Sequence, residues 1–222
     1  MKTSKQFYTE LTAEGLSKRK KSIHTKKELI YLKKILNKKD KILDLACGYG
    51  RFTIPLAKQG YSIEGIDITP SLIKKAKKDA KREKVNIIFK IGDMRKLPYK
   101  KESFDKIICM WSAFLELSKK IDQVKSLREI VRILKNEGSA FLEMAPPIKK
   151  TTGEITYKDI GDGLIIKGNI TLGKIAGIEA PPMYKHNKKT LQELFRKVKI
   201  KEYRISVNKF GGRDRLLVQF WK

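Results

Sequence analysis

Three acidic residues and a glycine turn carry the first chemical signal in the sequence. Asp44 opens the segment D-L-A-C-G-Y-G (44–50), in which Gly48 and Gly50 are separated by one residue. Asp67 closes Y-S-I-E-G-I-D (61–67), and Asp93 follows N-I-I-F-K-I-G (86–92). Glycines at this spacing let backbone N–H groups approach a ligand closely. A dinucleotide fingerprint wants G-x-G-x-x-G, so that a pyrophosphate sits on a helix N-terminus; here the third position is Thr53. An acid just before the turn repels a diphosphate and suits a cationic amine. Asp67 lies 17 residues beyond Gly50, where it can accept hydrogen bonds from a ribose diol. The implied ligand carries a ribose and a positive group but no phosphate. S-adenosylmethionine has both.

These residues need strands that end together. Short apolar runs at 41–46, 61–67, 86–93, 103–111 and 138–145 read as strands. Between them lie helical patterns at 51–59, 71–83 and 121–134, the last turning Ile121, Val124, Leu127, Ile130, Val131 and Leu134 inward and ending at Asn136-Glu137-Gly138. Pro55 is tolerable in the first turn of one helix, and Pro70 after Thr69 or Asp67 suits the start of the next. Ahead of the first strand, residues 25–36 place Leu29, Ile30, Leu32, Ile35 and Leu36 at helical spacing, with Thr25 and Glu28 set as a capping box. Strict alternation of strand and helix predicts a parallel α/β sheet wound on both faces, with ligands bound beyond the carboxyl ends of its strands. Asp44, Asp67 and Asp93 all fall at such ends. Residues 146–189 break the alternation: Pro146, Pro147 and six glycines punctuate β-type stretches at 155–160 and 164–172. A helix at 190–198 and strands at 201–207 and 215–221 follow, joined through Phe210-Gly211-Gly212 and so expected to pair antiparallel. The 222 residues suit one domain: N-terminal helices at 1–37, a cofactor-binding core at 38–145, a small β-hairpin insertion at 146–189 and a C-terminal helix and strand pair at 190–222.

The motifs D-L-A-C-G-Y-G (44–50), G-I-D-I-T (65–69), G-D-M (92–94) and F-D-K-I-I-C (104–109) resemble the successive motifs of the class I S-adenosylmethionine-dependent methyltransferases. The resemblance covers residues 38–145 closely and extends through the last helix and strands. It implies a Rossmann-like, doubly wound seven-stranded sheet whose last strand inserts antiparallel. It also implies S-adenosylmethionine as cofactor and S-adenosylhomocysteine as product. By the same resemblance Asp44, Ala46, Gly48 and Gly50 line the methionine portion. Asp67 takes the ribose hydroxyls, Ile68 packs on the adenine, and Asp93 and Met94 face the adenine edge. Met110 and Trp111 border the methionine end and the acceptor. Tyr8 and Tyr184 resemble substrate-side contacts of relatives, and the insertion resembles a substrate lid over the active site.

Methyl transfer asks the protein mainly to align a nucleophile. A general base is needed only where the acceptor must lose a proton early. Glu116, Glu143 and His186 are the candidates, although a lone histidine in a lysine-rich segment is more often a surface residue; His24 has no evident role. The signatures of base or glutamine amine methylation and of cytosine-carbon methylation are absent, since residues 109–114 read C-M-W-S-A-F. The leading expectation is transfer to an oxygen or nitrogen of a small molecule. The formal charge of +27, from 51 Lys+Arg against 24 Asp+Glu, keeps an RNA acceptor as the alternative. A non-catalytic binding subunit is the third reading, and the intact Asp44, Gly48, Gly50 and Asp67 set argues against it. Cys47 and Cys109 form neither a disulfide framework nor a metal site. No apolar run reaches the ~20 residues of a membrane helix, and a cytoplasmic protein is expected.

Overall fold

The computed structural model describes residues 1–18, 22–146, 152–157 and 162–222. Helices α1 (Ser4–Lys18) and α2 (Ser22–Ile35) precede a sheet built from β1 (Lys41–Leu45), β2 (Ser62–Asp67), β3 (Phe89–Ile91), β4 (Phe104–Cys109) and β5 (Leu134–Met144). Helices α3 (Thr53–Ala57), α4 (Pro70–Arg82) and α5 (Lys120–Ile133) connect them. A second, small sheet follows, formed by β6 (Thr152–Tyr157), β7 (Asp162–Lys167), β8 (Ile170–Ile175), β9 (Ile178–Glu179) and β10 (Met183–Tyr184). The chain closes with α6 (Lys188–Val198), β11 (Tyr203–Phe210) and β12 (Arg213–Trp221).

The main sheet has seven strands in the order β11-β12-β5-β4-β1-β2-β3. The four pairings among β1 to β5 are parallel, and β12 inserts antiparallel between β5 and β11. This is the fold class expected from the alternating pattern, hairpin insertion included. Strand alternation divides the core. Leu43 and Leu45 of β1 join Ile107, Leu127, Ile130 and Phe195 on the side of α5 and α6, while Ile42 joins Leu32, Phe52, Leu56 and Phe141 on the side of α2 and α3. β1 and β4 carry apolar side chains on both faces, interrupted by Asp44 in one and by Asp105 and Lys106 in the other, and this apolar content makes them legible as strands.

Several local expectations are corrected. Helix α2 begins at Ser22, so Thr25 and Glu28 lie inside it and form no capping box. Thr25 Oγ1 instead accepts from Arg51 Nε at 3.0 Å, and Glu28 is buried in an ion pair with Arg51. Ile30 and Ile121, expected to face inward, are exposed. Helix α5 stops at Ile133, and 136–138 lie within β5 rather than at a helix end. The stretch 164–172 is not one strand: Gly168 and Asn169 turn β7 back onto β8. Pro147, Gly161 and the end of the 155–160 stretch lie outside the described residues.

Gly50 fixes the turn after β1. Its φ is +83°, and a Cβ there would lie 2.9 Å from Ile54 Cδ1 and 3.3 Å from Phe89 Cζ. Gly50→Ala therefore combines left-handed strain with a clash and is expected to cost about 1–3 kcal/mol. Chemical denaturation checks this; an unchanged midpoint would contradict the placement of the turn.

Candidate active site

Strand β1 delivers Asp44 next to its carboxyl end, and the chain then turns sharply. Ala46 has φ +62° and Gly48 φ +57°, and the turn is tied by Cys47 N–H to Ile66 O at 3.0 Å and by Gly50 N–H to Cys47 O at 3.0 Å. The Asp67 carboxylate, at the end of neighbouring β2, braces this turn. It accepts from Gly48 N–H at 2.9 Å and from Thr69 N–H at 2.8 Å. Asp44 accepts from Thr53 Oγ1 at 2.6 Å. Two carboxylates with no ion-pair partner among the described residues thus sit buried at the wall of one cavity. Burial pushes Asp44 up to about 7 and raises Asp67 as well, against the pull of the Thr69 and Gly48 amides. A bound cation would relieve both.

These groups open onto a cavity of about 680 Å³. Of the residues singled out in sequence, Asp44, Ala46, Gly48, Asp67, Ile68, Asp93, Met94, Met110, Trp111, Tyr8 and Glu116 line it. Gly50, Glu143, His186 and Tyr184 do not. Gly50 serves packing, as above. Tyr184 is buried against His186, with ring centroids 4.7 Å apart, and its hydroxyl accepts from Asn169 Nδ2 at 3.2 Å. His186 is buried, not on the surface, and stacks on Phe114 at 5.8 Å. Burial, helped by the charge of Lys120, pushes it down to about 3, so it stays neutral; its Nε2 has no partner among the described residues. His24 Nδ1 lies 2.5 Å from Gly211 O and ties α2 to the last turn.

Glu143 proves to be a positioning residue. It is 2% exposed and forms an ion pair with Arg215 of β12. Its other oxygen accepts from Trp111 N–H at 2.5 Å. Trp111 and Ser112 both have positive φ, at +57° and +66°, which is costly for non-glycine residues. Arg215 Nη2 donates to Ser112 Oγ at 2.6 Å, and Ser112 N–H donates to Glu143 O at 2.9 Å. The Glu143–Arg215 pair therefore holds the strained turn that aims Trp111 into the cavity. Arg215 carries no motif, and only the antiparallel register of β12 on β5 brings it to Glu143.

Two arginines of the cavity were also not singled out. Arg51 is buried, paired with Glu28, and lies 4.4 Å from the Phe52 ring and 5.4 Å from the Trp111 ring. Arg95 grips Asp93 through Nε and Nη2, at 2.9 and 2.6 Å to Oδ2. Partial burial opposes ionisation of Asp93, but Arg95 holds its carboxyl below the usual range. An arginine two residues past an acid was the available signal.

The lining suits a ribosyl cation. Asp44 and Asp67 keep acceptor sites beyond those their protein partners use. Ile68, Leu72 and Met94 supply apolar wall, and Gly48 leaves open space where a Cβ would come no nearer than 3.9 Å to another side chain.

Comparison with known proteins agrees with this geometry. Residues 42–138 match the family model described as a methyltransferase domain. YqeM of Bacillus subtilis (strain 168) is 30% identical over 114 residues, which are 51% of this chain and 46% of that protein; the match thus spans about half of the relative's length. A solved protein from Pyrococcus horikoshii OT3 superposes with a TM-score of 0.70 at 21% identity, covering 98% of each chain. Magnesium protoporphyrin IX methyltransferase from Synechocystis PCC 6803, solved with S-adenosylmethionine bound, gives 0.60 at 15% identity over 90% of this chain and 80% of that one. The core at 42–138 is thus similar to methyltransferase domains, and the whole chain shares its fold with solved proteins that include a methyltransferase with S-adenosylmethionine bound.

Proposed function

We propose that the protein transfers the methyl group of S-adenosylmethionine to an oxygen or nitrogen of a small-molecule acceptor. The observation that carries this reading is the closure of the cavity on its acceptor side. Helix α1 contributes Ser4, Tyr8 and Leu16 to the lining, and the segment after β9 contributes Pro181 and Pro182. Phe7, Leu11 and Leu16 of α1 pack with Leu72 and Ala180, so α1 and the insertion lie together over the strand ends. The space left fits a small molecule better than a polynucleotide. Asp67 would hold the ribose hydroxyls and Asp44 the amine end, with Ile68 and Met94 against the adenine. Trp111, fixed by Glu143 and Arg215, would border the acceptor. When bound, the cofactor supplies a methyl carbon already activated by its sulfonium. The protein aligns the nucleophile for in-line displacement and excludes water.

The charge supports the second reading, an RNA acceptor. Lys74, Lys77, Lys78, Lys81 and Lys84 are exposed along and just past α4. Yet Lys33 and Lys34 of α2 and Lys188 and Lys189 of α6 are exposed too, on helices packed against opposite faces of the sheet. A charge spread over several faces is weak support for one docking surface. Incubation with methyl-labelled S-adenosylmethionine and a metabolite extract freed of nucleic acid tests the choice. Labelled small-molecule product is expected; label on added RNA with none in the extract would overturn the proposal.

A further inference from the structure

Glu116 is an acid in the cavity wall with no cation in contact among the described residues. It sits in the 3₁₀ turn Ala113–Glu116 after β4, just beyond the turn that carries Trp111. One of its oxygens accepts from the Tyr8 hydroxyl of α1 at 2.5 Å, and Ser4 of the same helix also hydrogen-bonds to it. A carboxylate offers about four acceptor positions, so sites remain for a third donor within the cavity. No ion pair joins it to the nearby cations of the lining. Arg95 is taken by Asp93 and Asp122, Arg51 by Glu28, and Lys2 by Glu10. Its counterpart Glu143 is spent on Arg215, and His186 lies outside the cavity. Among the three candidate bases, only Glu116 touches the space where an acceptor would lie.

We propose that Glu116 takes the proton from the acceptor, with Tyr8 orienting its carboxylate, and that the acceptor therefore presents an N–H or O–H bond. This rests on the methyltransferase reading above and narrows it: tertiary amines, thioethers and ionised carboxylates, which have no proton to give, are excluded as acceptors. In the step, a lone pair on the acceptor nitrogen or oxygen forms a bond to the methyl carbon. The carbon–sulfur bond breaks with its electron pair left on sulfur, giving S-adenosylhomocysteine. The acceptor proton passes to a carboxylate oxygen of Glu116 and then to solvent.

The electrostatics support the assignment. Burial pushes Glu116 up to about 7, against the Ser4 and Tyr8 hydrogen bonds, and the charge of Asp67 adds to the rise. Lys5 of α1, Lys119 of the following loop and Asp122 of α5 also line the cavity. A base near neutrality is well matched to proton transfer at physiological pH. The base form populates as pH rises, so the rate should climb through about pH 7 and then level off.

The test compares wild type, Glu116→Gln and Tyr8→Phe, using methyl-labelled S-adenosylmethionine and the nucleic-acid-free metabolite extract. Glu116→Gln is expected to bind S-adenosylhomocysteine as wild type does and to lose about 100-fold or more of the transfer rate, with the pH rise abolished. Tyr8→Phe should keep the pH rise with a shifted midpoint. A Glu116→Gln variant with more than half the wild-type rate and the same pH profile would overturn the proposal. Difference infrared spectra of the S-adenosylhomocysteine complex give a readout independent of turnover. Asp44 titrates in the same range, so the contribution of Glu116 is the carboxyl signal that the glutamine variant lacks. Such a signal near neutrality supports the proposal even if the extract holds no acceptor; its absence overturns it. Wild type that binds the cofactor and leaves the extract unlabelled would count against the small-molecule reading instead.

Discussion

Arg215→Ala should lower the unfolding free energy by about 3–5 kcal/mol, because it leaves the Glu143 carboxylate buried without its cation. Glu143 is 2% exposed and Arg215 8% exposed, so water cannot replace the lost partner. For a chain of this size that corresponds to a fall in melting temperature of about 6–20 °C. The damage should not stop at stability. Ser112 loses the Arg215 donor, and the left-handed backbone at Trp111 and Ser112 loses part of what holds it. Thermal unfolding of Arg215→Ala, beside a double variant carrying Glu143→Gln and Arg215→Met, separates pairing from packing. The double variant removes both charges and keeps a side-chain oxygen for Trp111 N–H, so it should recover most of the loss. Two equally mild variants would contradict the positioning role.

Asp67→Ala should weaken cofactor binding about 10- to 150-fold, equivalent to about 1.5–3 kcal/mol for a charge-assisted hydrogen bond. Asp67 faces two ways. It accepts from Gly48 and Thr69 amides at 2.9 and 2.8 Å, and it lines the cavity. Alanine removes the ribose acceptor and also frees the glycine turn. Asp67→Asn keeps an oxygen for one amide and should lose less. Calorimetric titration of both with S-adenosylhomocysteine measures the two contributions, and unchanged affinity in the alanine variant would mean that the ribose lies elsewhere.

The fold was legible where sequence and burial share a period. The runs at 41–46 and 103–111 are apolar on both faces, and the C-terminal strands are joined by a turn too short for anything but antiparallel pairing. Legibility fell where tertiary contacts override local signals. Thr25 and Glu28 have the spacing of a capping box, but a buried Arg51 recruits them into a helix that starts earlier. Glu143 looked like a base because it ends a strand at the cleft, and its role is set by Arg215, 72 residues away in sequence. His186 and Tyr184 pair with each other at the end of the insertion, with His186 stacked on Phe114, and nothing in a lysine-rich segment announces that burial. Glu116 could be nominated by position alone. Its contact with Tyr8 spans 108 residues and depends on how α1 docks.

The cofactor assignment is the claim on which the rest depends. Isothermal titration of the protein with S-adenosylmethionine, S-adenosylhomocysteine and NAD tests it most directly. Micromolar binding of the first two is expected, and none of NAD. Binding of NAD alone would show that a pyrophosphate fits the turn at Gly48 despite Asp44 and Thr53, and the S-adenosylmethionine assignment would fall.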